Sequence, residues 1–160
     1  NHDFHAFTPT VANVRPTSRG EINIISKDSR EKPKIKMNYL STEDDRKVAA
    51  DGLRLVRDIV FKSETFKKYH PEELRPGSQF QSNEELVQEG SKFTQTIFHP
   101  VGTCKMGSDE NAVVNDELKV HGIQNLRIID ASIMPNITSG NTNAPTIMIA
   151  EKGADMILGN

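Results

Sequence analysis

Several features that are common in proteins are scarce in this chain of 160 residues. It has no Trp, aromatic residues make up 6% of it, and Cys104 is its single cysteine. One cysteine excludes an internal disulfide and leaves the redox compartment open. The sequence also places no base beside Cys104 to activate it as a nucleophile. At this length we expect one packed domain or part of a larger protein.

Long apolar runs and a strong net charge are also absent. No run approaches the roughly 18 apolar residues that a membrane-spanning helix needs. The net charge is -2, from 20 Lys and Arg against 22 Asp and Glu, so nothing electrostatic favours a nucleic-acid partner. We predict neither such a partner nor a transmembrane segment. The chain begins with neither Met nor a signal peptide, and we expect it to be part of something longer, located in the cytoplasm or peripherally on a membrane of a bacterial-type cell.

Apolar spacing predicts a small antiparallel sheet followed by helices in the first 95 residues. Residues 21–25 and 35–39 are strand candidates, the second alternating apolar and polar residues as a half-buried strand does. The stretch Ser41-Thr42-Glu43-Asp44-Asp45 predicts a helix start, with a hydroxyl able to cap it and three carboxylates in the first turn. The helix then continues to about Phe61 along an apolar stripe of Ala49, Leu53, Val56 and Val60.

A second helix is predicted after a connector at residues 62–81. Ser82 and Glu85 have the spacing of a capping box, and the helix extends to about Lys92. In the last third, the apolar run at residues 126–129 predicts a strand buried on both faces. A final helix is predicted near Pro145, with helical spacing at Ile147, Ala150, Ala154 and Ile157.

His99 is the strongest candidate for chemistry. It follows two apolar residues and precedes Pro100 and a glycine-containing turn. The ordinary pKa of an imidazole, near ~6.5, allows proton exchange at neutral pH. The alternative is a hydrogen-bonded structural histidine, which is the commoner use of the residue.

Asn141, Asn143 and Asp130 are the other polar candidates. An Asn offers one acceptor and two donors, so it can hold a hydroxyl and stabilise an alkoxide without charge. The alternative for Asn143 is helix capping. Asp130 either accepts a hydrogen bond from a cofactor hydroxyl, since ligands bind at the carboxyl ends of buried strands, or caps the turn that follows it.

Motifs for metals and nucleotides are incomplete or missing. His2 and His5 have a metal-ligand spacing, but no second cluster completes a site, so no metal is predicted. GxGxxG, P-loop and GxSxG motifs do not occur in the chain. A complete nucleotide site is therefore not encoded within these residues.

Three motifs occur in a fixed order. They are HPVGTCKMG at residues 99–107, VHG at 120–122 followed by LRIIDASIMP at 126–135, and GNTNAPTIMIAEK at 140–152. Here the chain resembles the carboxyl-terminal part of the glucose-methanol-choline (GMC) oxidoreductases, and most of all their choline dehydrogenase-like and aliphatic alcohol dehydrogenase-like branch. The turn RPTSRG at residues 15–20 is also similar to that family's.

The resemblance implies an α+β fold in two parts. Residues 1–95 would belong to the substrate-binding domain, an antiparallel sheet flanked by helices. Residues 96–160 would hold the active-site segment and the carboxyl-terminal strand and helix of the FAD-binding domain. The family's dinucleotide fingerprint lies near the amino terminus of the full protein, so the implied partner of this chain is that missing amino-terminal half, and the chain is expected to be inactive alone.

The resemblance also implies roles for individual residues. His99 matches the family's active-site histidine, and Asn141 matches its second catalytic position, filled by His or Asn. Asp130 and Ala131 match positions near the FAD pyrophosphate and ribityl chain, and Asn143 and Thr146 match the segment beside the flavin ring. An alcohol substrate would lose its hydroxyl proton to His99 while Asn141 fixes its oxygen, and a hydride would pass to flavin N5.

Two functions remain in view. One is the carboxyl-terminal portion of a FAD-dependent alcohol dehydrogenase that converts a primary alcohol to an aldehyde. The other is a ligand-binding or interaction module that keeps the scaffold without the chemistry. The presence of both His99 and Asn141 favours the enzyme, because a module needs neither.

Overall fold

The computed structural model describes residues 3–159. Within that range it contains four α-helices, two short strands and one turn of 3-10 helix. In chain order they are β1 (Glu21–Asn23), β2 (Lys34–Lys36), α1 (Glu43–Lys62), α2 (Glu64–Lys67), α3 (Asn83–Ser91), the 3-10 helix (Ala131–Ile133) and α4 (Asn143–Leu158).

The chain forms two compact units. The helical unit comprises residues 3–13, 17–19 and 38–95, and the carboxyl-terminal unit comprises residues 14–16, 20–37 and 96–159. Helices α1, α2 and α3 belong to the first, and β1, β2, the 3-10 helix and α4 belong to the second. The assignment of residues 1–95 and 96–160 to a substrate-binding and a FAD-binding domain stays a prediction.

Helix α1 begins and packs as its sequence predicts. The Thr42 hydroxyl accepts a hydrogen bond from the backbone N–H of Asp45, and the first turn carries three carboxylates at the positive end of the helix dipole. Ala50 and Val60 are buried, and the predicted stripe lies on the same, covered side. Gly52 allows a close approach there, since a Cβ at this position would lie 2.4 Å from Cγ1 of Val11.

Helix α3 packs against α1. The predicted capping box is confirmed, because the Ser82 hydroxyl accepts from the N–H of Glu85 while the Glu85 carboxylate accepts from the N–H of Ser82. Leu86, on α3, is fully buried. In the connector, the Arg57 guanidinium bonds the Glu73 carboxylate and the carbonyls of Gly77 and Phe80.

Asp45 joins α1 to the turn at residues 17–18. Its carboxylate accepts hydrogen bonds from the backbone N–H groups of Thr17 and Ser18, each at 2.9 Å, and from the side chain of Asn13 at 3.1 Å. Burial acts to raise the pKa of the Asp45 carboxyl, but the hydrogen bonds from Ser18 and Thr17 outweigh it and hold this pKa below its usual value.

The predicted antiparallel sheet is confirmed and is small. Strands β1 and β2 pair with Ile22 opposite Ile35. Each strand has three residues, and all of them are exposed, so the expectation of a half-buried strand is wrong. The reason is that α4, the helix of the same unit, does not pack against the pair.

The core of the carboxyl-terminal unit draws on separate segments. Its buried members are Val114, Leu118, Ile133, Met134 and Ile149. The predicted strand at residues 126–129 is wrong: the segment is extended, forms one isolated bridge, and leaves Leu126 46% exposed. Its backbone hydrogen bonds run to residues 118–120, and Ile128 and Ile129 are only partly buried against the core.

Helix α4 is confirmed, but its buried face differs from the predicted one. Ile149 and Gly153 are buried, whereas the predicted set, Ile147, Ala150, Ala154 and Ile157, is exposed. The helix is apolar on more than one side, so helical spacing alone fits either face. Gly153 decides between them, because it allows α4 to approach Ile129 closely.

Candidate active site

His99 lies in a segment held firmly on the carboxyl-terminal unit. Met106 N–H donates to the carbonyl of Ile133 at 2.8 Å, and Cys104 N–H donates to the carbonyl of Ser132 at 3.1 Å. Gly102 has φ +88°, and a Cβ there would meet the carbonyl oxygen of Met134 at 3.4 Å, so the turn after His99 favours glycine. The imidazole is half-buried, which fits a group that meets a ligand from one side.

The residue before His99 has an unusual backbone. Phe98 has φ 63°, a conformation that costs energy for a bulky side chain, and its ring is 82% exposed. The Thr96 hydroxyl accepts the Phe98 N–H at 2.9 Å and supports this turn. The strain is local to the candidate histidine, and it turns the chain sharply into residue 99.

Thr142 is the partner of His99. The Nδ1 atom of His99 lies 3.0 Å from the Thr142 hydroxyl oxygen and 3.4 Å from the Thr142 backbone nitrogen, whose N–H points at it. Thr142 is 6% exposed. This contact joins two segments 43 residues apart in sequence and leaves Nε2 as the imidazole nitrogen that is not engaged by Thr142.

The two asparagine candidates flank Thr142. Asn141 is exposed in the loop before α4, and Asn143 is the first residue of the helix and also exposed. Because neighbouring Cα atoms are ~3.8 Å apart, the backbone of both asparagines lies beside the residue that contacts His99. The capping alternative for Asn143 is wrong, since Thr142 holds the cap position of α4.

The loop that carries Asn141 is tied down on its other side. The Arg15 guanidinium donates through Nε to the hydroxyl of Ser139, a residue with φ 62°. Gly140 follows with open space around it. Arg15 opens the turn RPTSRG at residues 15–20, and its bond to Ser139 links that turn to the loop within the carboxyl-terminal unit.

The remaining predicted residues lie near α4 and the 3-10 helix. The Thr146 hydroxyl donates to the Thr142 carbonyl at 2.6 Å. Asp130 is exposed, and its carboxylate accepts from the Ser132 N–H at 2.7 Å, so the capping alternative for Asp130 is confirmed. Ala131 packs half-buried against the core. A capping carboxylate keeps acceptor capacity, because a carboxylate offers about four lone-pair positions.

The amino-terminal end of α4 has neither a side-chain cap from Thr142 nor an acidic residue to offset its positive partial charge. Thr142 makes no side-chain capping bond to the helix, and the first turn contains no carboxylate. Backbone N–H groups at such an end carry partial positive charge. The end can therefore meet an electron-rich group of a cofactor, while Asn143 and Thr146 supply side chains around it.

Sequence reasoning missed Thr142. The signal that could have found it is its place between two candidate asparagines at a helix start, where a Thr is usually read as a cap.

In residues 3–159 no group of three or more His, Cys, Asp or Glu could hold a metal ion, and His2 of the pair His2 and His5 lies outside that range. None of the helices described here is long and apolar enough to cross a membrane.

Comparison with known proteins decides the family. The model of the GMC oxidoreductase family matches residues 16–150. The chain belongs to the GMC oxidoreductases. Members of this family are FAD-dependent, and the resemblance stated from the motifs is confirmed.

Two curated bacterial relatives show the degree of similarity. The oxygen-dependent choline dehydrogenase of Pseudomonas savastanoi pv. phaseolicola is 49% identical over 97% of this chain and 27% of the relative. The enzyme of the same name from Proteus mirabilis is 47% identical over 98% of this chain and 28% of the relative. The chain thus spans about a quarter of the length of these relatives.

Solved GMC structures share the architecture. Pyridoxine 4-oxidase from Mesorbium loti superposes with a TM-score of 0.84 at 34% identity, over 92% of this chain and 28% of that one. A variant of formate oxidase from Aspergillus oryzae superposes with a TM-score of 0.82 at 33% identity, over 97% of this chain and 29% of that one. The fold described above therefore matches the carboxyl-terminal region of GMC oxidoreductases.

Proposed function

We propose that this chain is the carboxyl-terminal part of a choline dehydrogenase-like, FAD-dependent enzyme that oxidises a primary alcohol to an aldehyde. The observation that carries the proposal is the 3.0 Å contact between His99 Nδ1 and Thr142. It joins the two segments on which the catalytic residues were predicted. Relatives named oxygen-dependent choline dehydrogenase, at 47–49% identity, support the substrate class.

His99 is proposed as the acid and base. Thr142 engages Nδ1, so Nε2 is the atom that exchanges a proton with the substrate hydroxyl. A positioned proton acceptor matters here because an alkoxide gives up a hydride far more readily than a neutral alcohol. The half-buried position of the imidazole restricts water on one side while leaving the other side open to a ligand.

Asn141 is proposed to hold the alcohol oxygen. Its amide can donate to the oxygen as negative charge develops there, without adding a second charge to the site. We assign this role to Asn141 rather than Asn143, because Asn141 lies in the exposed loop that Arg15 and Ser139 hold, whereas Asn143 is already part of α4.

The residues around α4 fit a flavin cofactor. Asn143, Thr146 and the open helix end are proposed to face its ring system, and Asp130 and Ala131 its phosphate and ribityl part. FAD, when bound, supplies the acceptor for the hydride that leaves the alcohol carbon. The residues of this chain orient the alcohol and take the hydroxyl proton. The proton and the hydride that leave the alcohol therefore each have an acceptor.

Residues 1–95 are proposed to contribute to substrate binding and residues 96–160 to carry the catalytic segment. The remaining three quarters of the relatives' length supply the implied partner, the amino-terminal FAD-binding half. We place the whole protein in the cytoplasm or peripherally on the membrane of a bacterium, in line with its bacterial relatives.

The decisive experiment is anaerobic reduction of the flavin in the full-length protein that contains this chain. Choline, an aliphatic alcohol and an aromatic alcohol are added separately, and bleaching of the flavin absorbance is followed. We expect choline to bleach it fastest. Bleaching by another class alone would correct the substrate, and a bound flavin that no alcohol reduces would favour the non-catalytic module instead.

The His99→Ala variant tests the assigned chemistry. Loss of general acid–base catalysis is expected to slow alcohol-dependent reduction by about 10²–10⁴-fold while the flavin stays bound. The matched control is His5→Ala, which removes an exposed histidine of the helical unit and should reduce at the normal rate. An unchanged rate in the His99 variant would remove this residue from the mechanism.

A further inference from the structure

Thr142 occupies a cap position without capping. A Thr at the start of a helix normally uses its hydroxyl to accept an N–H of the first turn, with its own backbone extended. Here the backbone of Thr142 is at φ -87° and ψ 0°, and its side chain makes no capping bond. The hydroxyl is instead directed at His99 Nδ1, 3.0 Å away.

The backbone carbonyl of Thr142 is also held, by two hydrogen bonds from Thr146. The Thr146 hydroxyl donates to the Thr142 carbonyl at 2.6 Å, and the Thr146 N–H donates to the same oxygen at 3.0 Å. Thr142 is nearly fully buried, so water competes little for its hydroxyl. The backbone of Thr142 is therefore anchored to α4, and its buried hydroxyl has His99 Nδ1 as a hydrogen-bond partner.

The two contacts from Thr142 to Nδ1 are chemically different. The backbone N–H can only donate, so it favours the tautomer in which Nδ1 is unprotonated and the proton sits on Nε2. The hydroxyl can either donate or accept. It can therefore remain bonded to Nδ1 whether that atom carries a proton or not, and a proton on Nδ1 is what leaves Nε2 free to receive another.

We infer that Thr142 is a positioning residue whose hydroxyl allows His99 to act as a base through Nε2. It holds Nδ1 towards α4 and accepts a hydrogen bond from the N–H at Nδ1, so that Nε2 carries the lone pair. The alcohol hydroxyl proton would then go to Nε2, and FAD, when bound, would supply the acceptor for the hydride that leaves the alcohol carbon, which gives the aldehyde. This inference rests on the proposed function and assigns the residue that prepares its base.

The test compares Thr142→Val with Thr142→Ser in the full-length flavoprotein. Valine keeps the shape of threonine and removes the hydroxyl, which leaves only the donating N–H beside Nδ1. We expect flavin reduction at saturating choline to slow by about 10²-fold, the size of effect that mispositioning near a reacting centre produces. The apparent affinity for choline should hold, because Thr142 does not touch the alcohol, and serine should restore most of the rate.

A spectroscopic measurement separates this role from general disruption. In protein labelled with ¹⁵N-histidine, the His99 nitrogen shifts of the valine variant should report an unprotonated Nδ1 and a protonated Nε2 in the neutral imidazole, whereas the serine variant should match the parent. The control Thr94→Val removes an exposed hydroxyl of the helical unit that bonds the Gly90 carbonyl, and it should change neither the rate nor the shifts.

Each result has a defined meaning. A valine variant with the parent's rate and nitrogen shifts overturns the inference, and so does a serine variant as slow as the valine one, because the hydroxyl would then not be the active feature. If the parent flavin is reduced by no alcohol, the proposed function fails. The nitrogen shifts still test the Thr142 contact in that case, so the two failures are distinguishable.

Discussion

Arg57 and Glu73 form a paired, largely buried ion bridge in the helical unit. Nε of Arg57 lies 2.9 Å from Oε2 of Glu73, and Nη2 lies 2.9 Å from Oε1. The side chains are 14% and 9% exposed. The same guanidinium bonds the carbonyls of Gly77 and Phe80, so this one side chain orders a connector that has little secondary structure of its own.

Glu73→Gln is expected to destabilise the protein by about 3–5 kcal/mol, because it leaves the buried Arg57 guanidinium without its counter-charge. Urea unfolding followed by circular dichroism measures the change. The matched control is Asp58→Asn, which breaks the exposed pair with Lys62 on α1 and should have little effect, since water screens that pair. Equal losses in both variants would contradict the role assigned to Arg57.

Asp45→Asn should lower stability at neutral pH by about 1–3 kcal/mol, because an amide cannot accept all the bonds from Thr17, Ser18 and Asn13. The pKa of Asp45 is lowered in the folded state from an ordinary value of 3.8. Its contribution is therefore complete above pH 3.8 and is lost as the pH falls through the lower folded pKa.

The difference in free energy of unfolding between the parent and the Asp45→Asn variant should therefore become smaller as the pH falls below 3.8. Thermal unfolding from pH 7 to pH 2 measures it. Asp44→Asn, an exposed neighbour in the same first turn of α1, is the control and should show no comparable narrowing. A gap that is constant over this range would show that the Asp45 charge is not what holds the turn.

Gly153→Ala tests the packing of α4. A Cβ at Gly153 would lie 2.5 Å from Cγ2 and 2.8 Å from Cδ1 of Ile129. Overpacking costs about 1–3 kcal/mol, and contacts this short place the cost toward the upper end of that range, above the ~1 kcal/mol that Ala gains over Gly in a helix. We expect a lower melting temperature.

The Ile129→Ala variant is the second half of a double-mutant cycle with Gly153→Ala. Combined with Gly153→Ala, it removes the clashing atoms, so the double variant should lose less stability than the two single losses added together. Strict additivity would mean that α4 and Ile129 adjust independently and that Gly153 does not set their approach.

Asn141→Ala and Asn143→Ala distinguish the proposed roles of the two asparagines. Loss of a donor to the developing alkoxide should slow flavin reduction in the Asn141 variant by about 10²–10³-fold with FAD retained. The Asn143 variant should instead hold FAD more weakly and keep most of its rate when saturated. Flavin content and stopped-flow reduction measure the two effects, and an exchange of these outcomes would reassign the catalytic amide.

Local signals predicted the helices well. Thr42 and the capping box of Ser82 and Glu85 act through bonds within four residues, so they operate in almost any surrounding structure. The buried faces of α4 and of residues 126–129 were predicted less well. Both segments are apolar on more than one side, and which side is covered depends on neighbours that are distant in sequence.

By itself, the sequence determined the family and the candidate residues, because the motifs at residues 99–107, 126–135 and 140–152 are contiguous strings whose order needs no structure to read. Only the tertiary structure decided that the histidine meets Thr142. That contact spans 43 residues and depends on a hydroxyl turning away from its own helix. Local propensity favours the cap, and the packing of two distant segments overrides it.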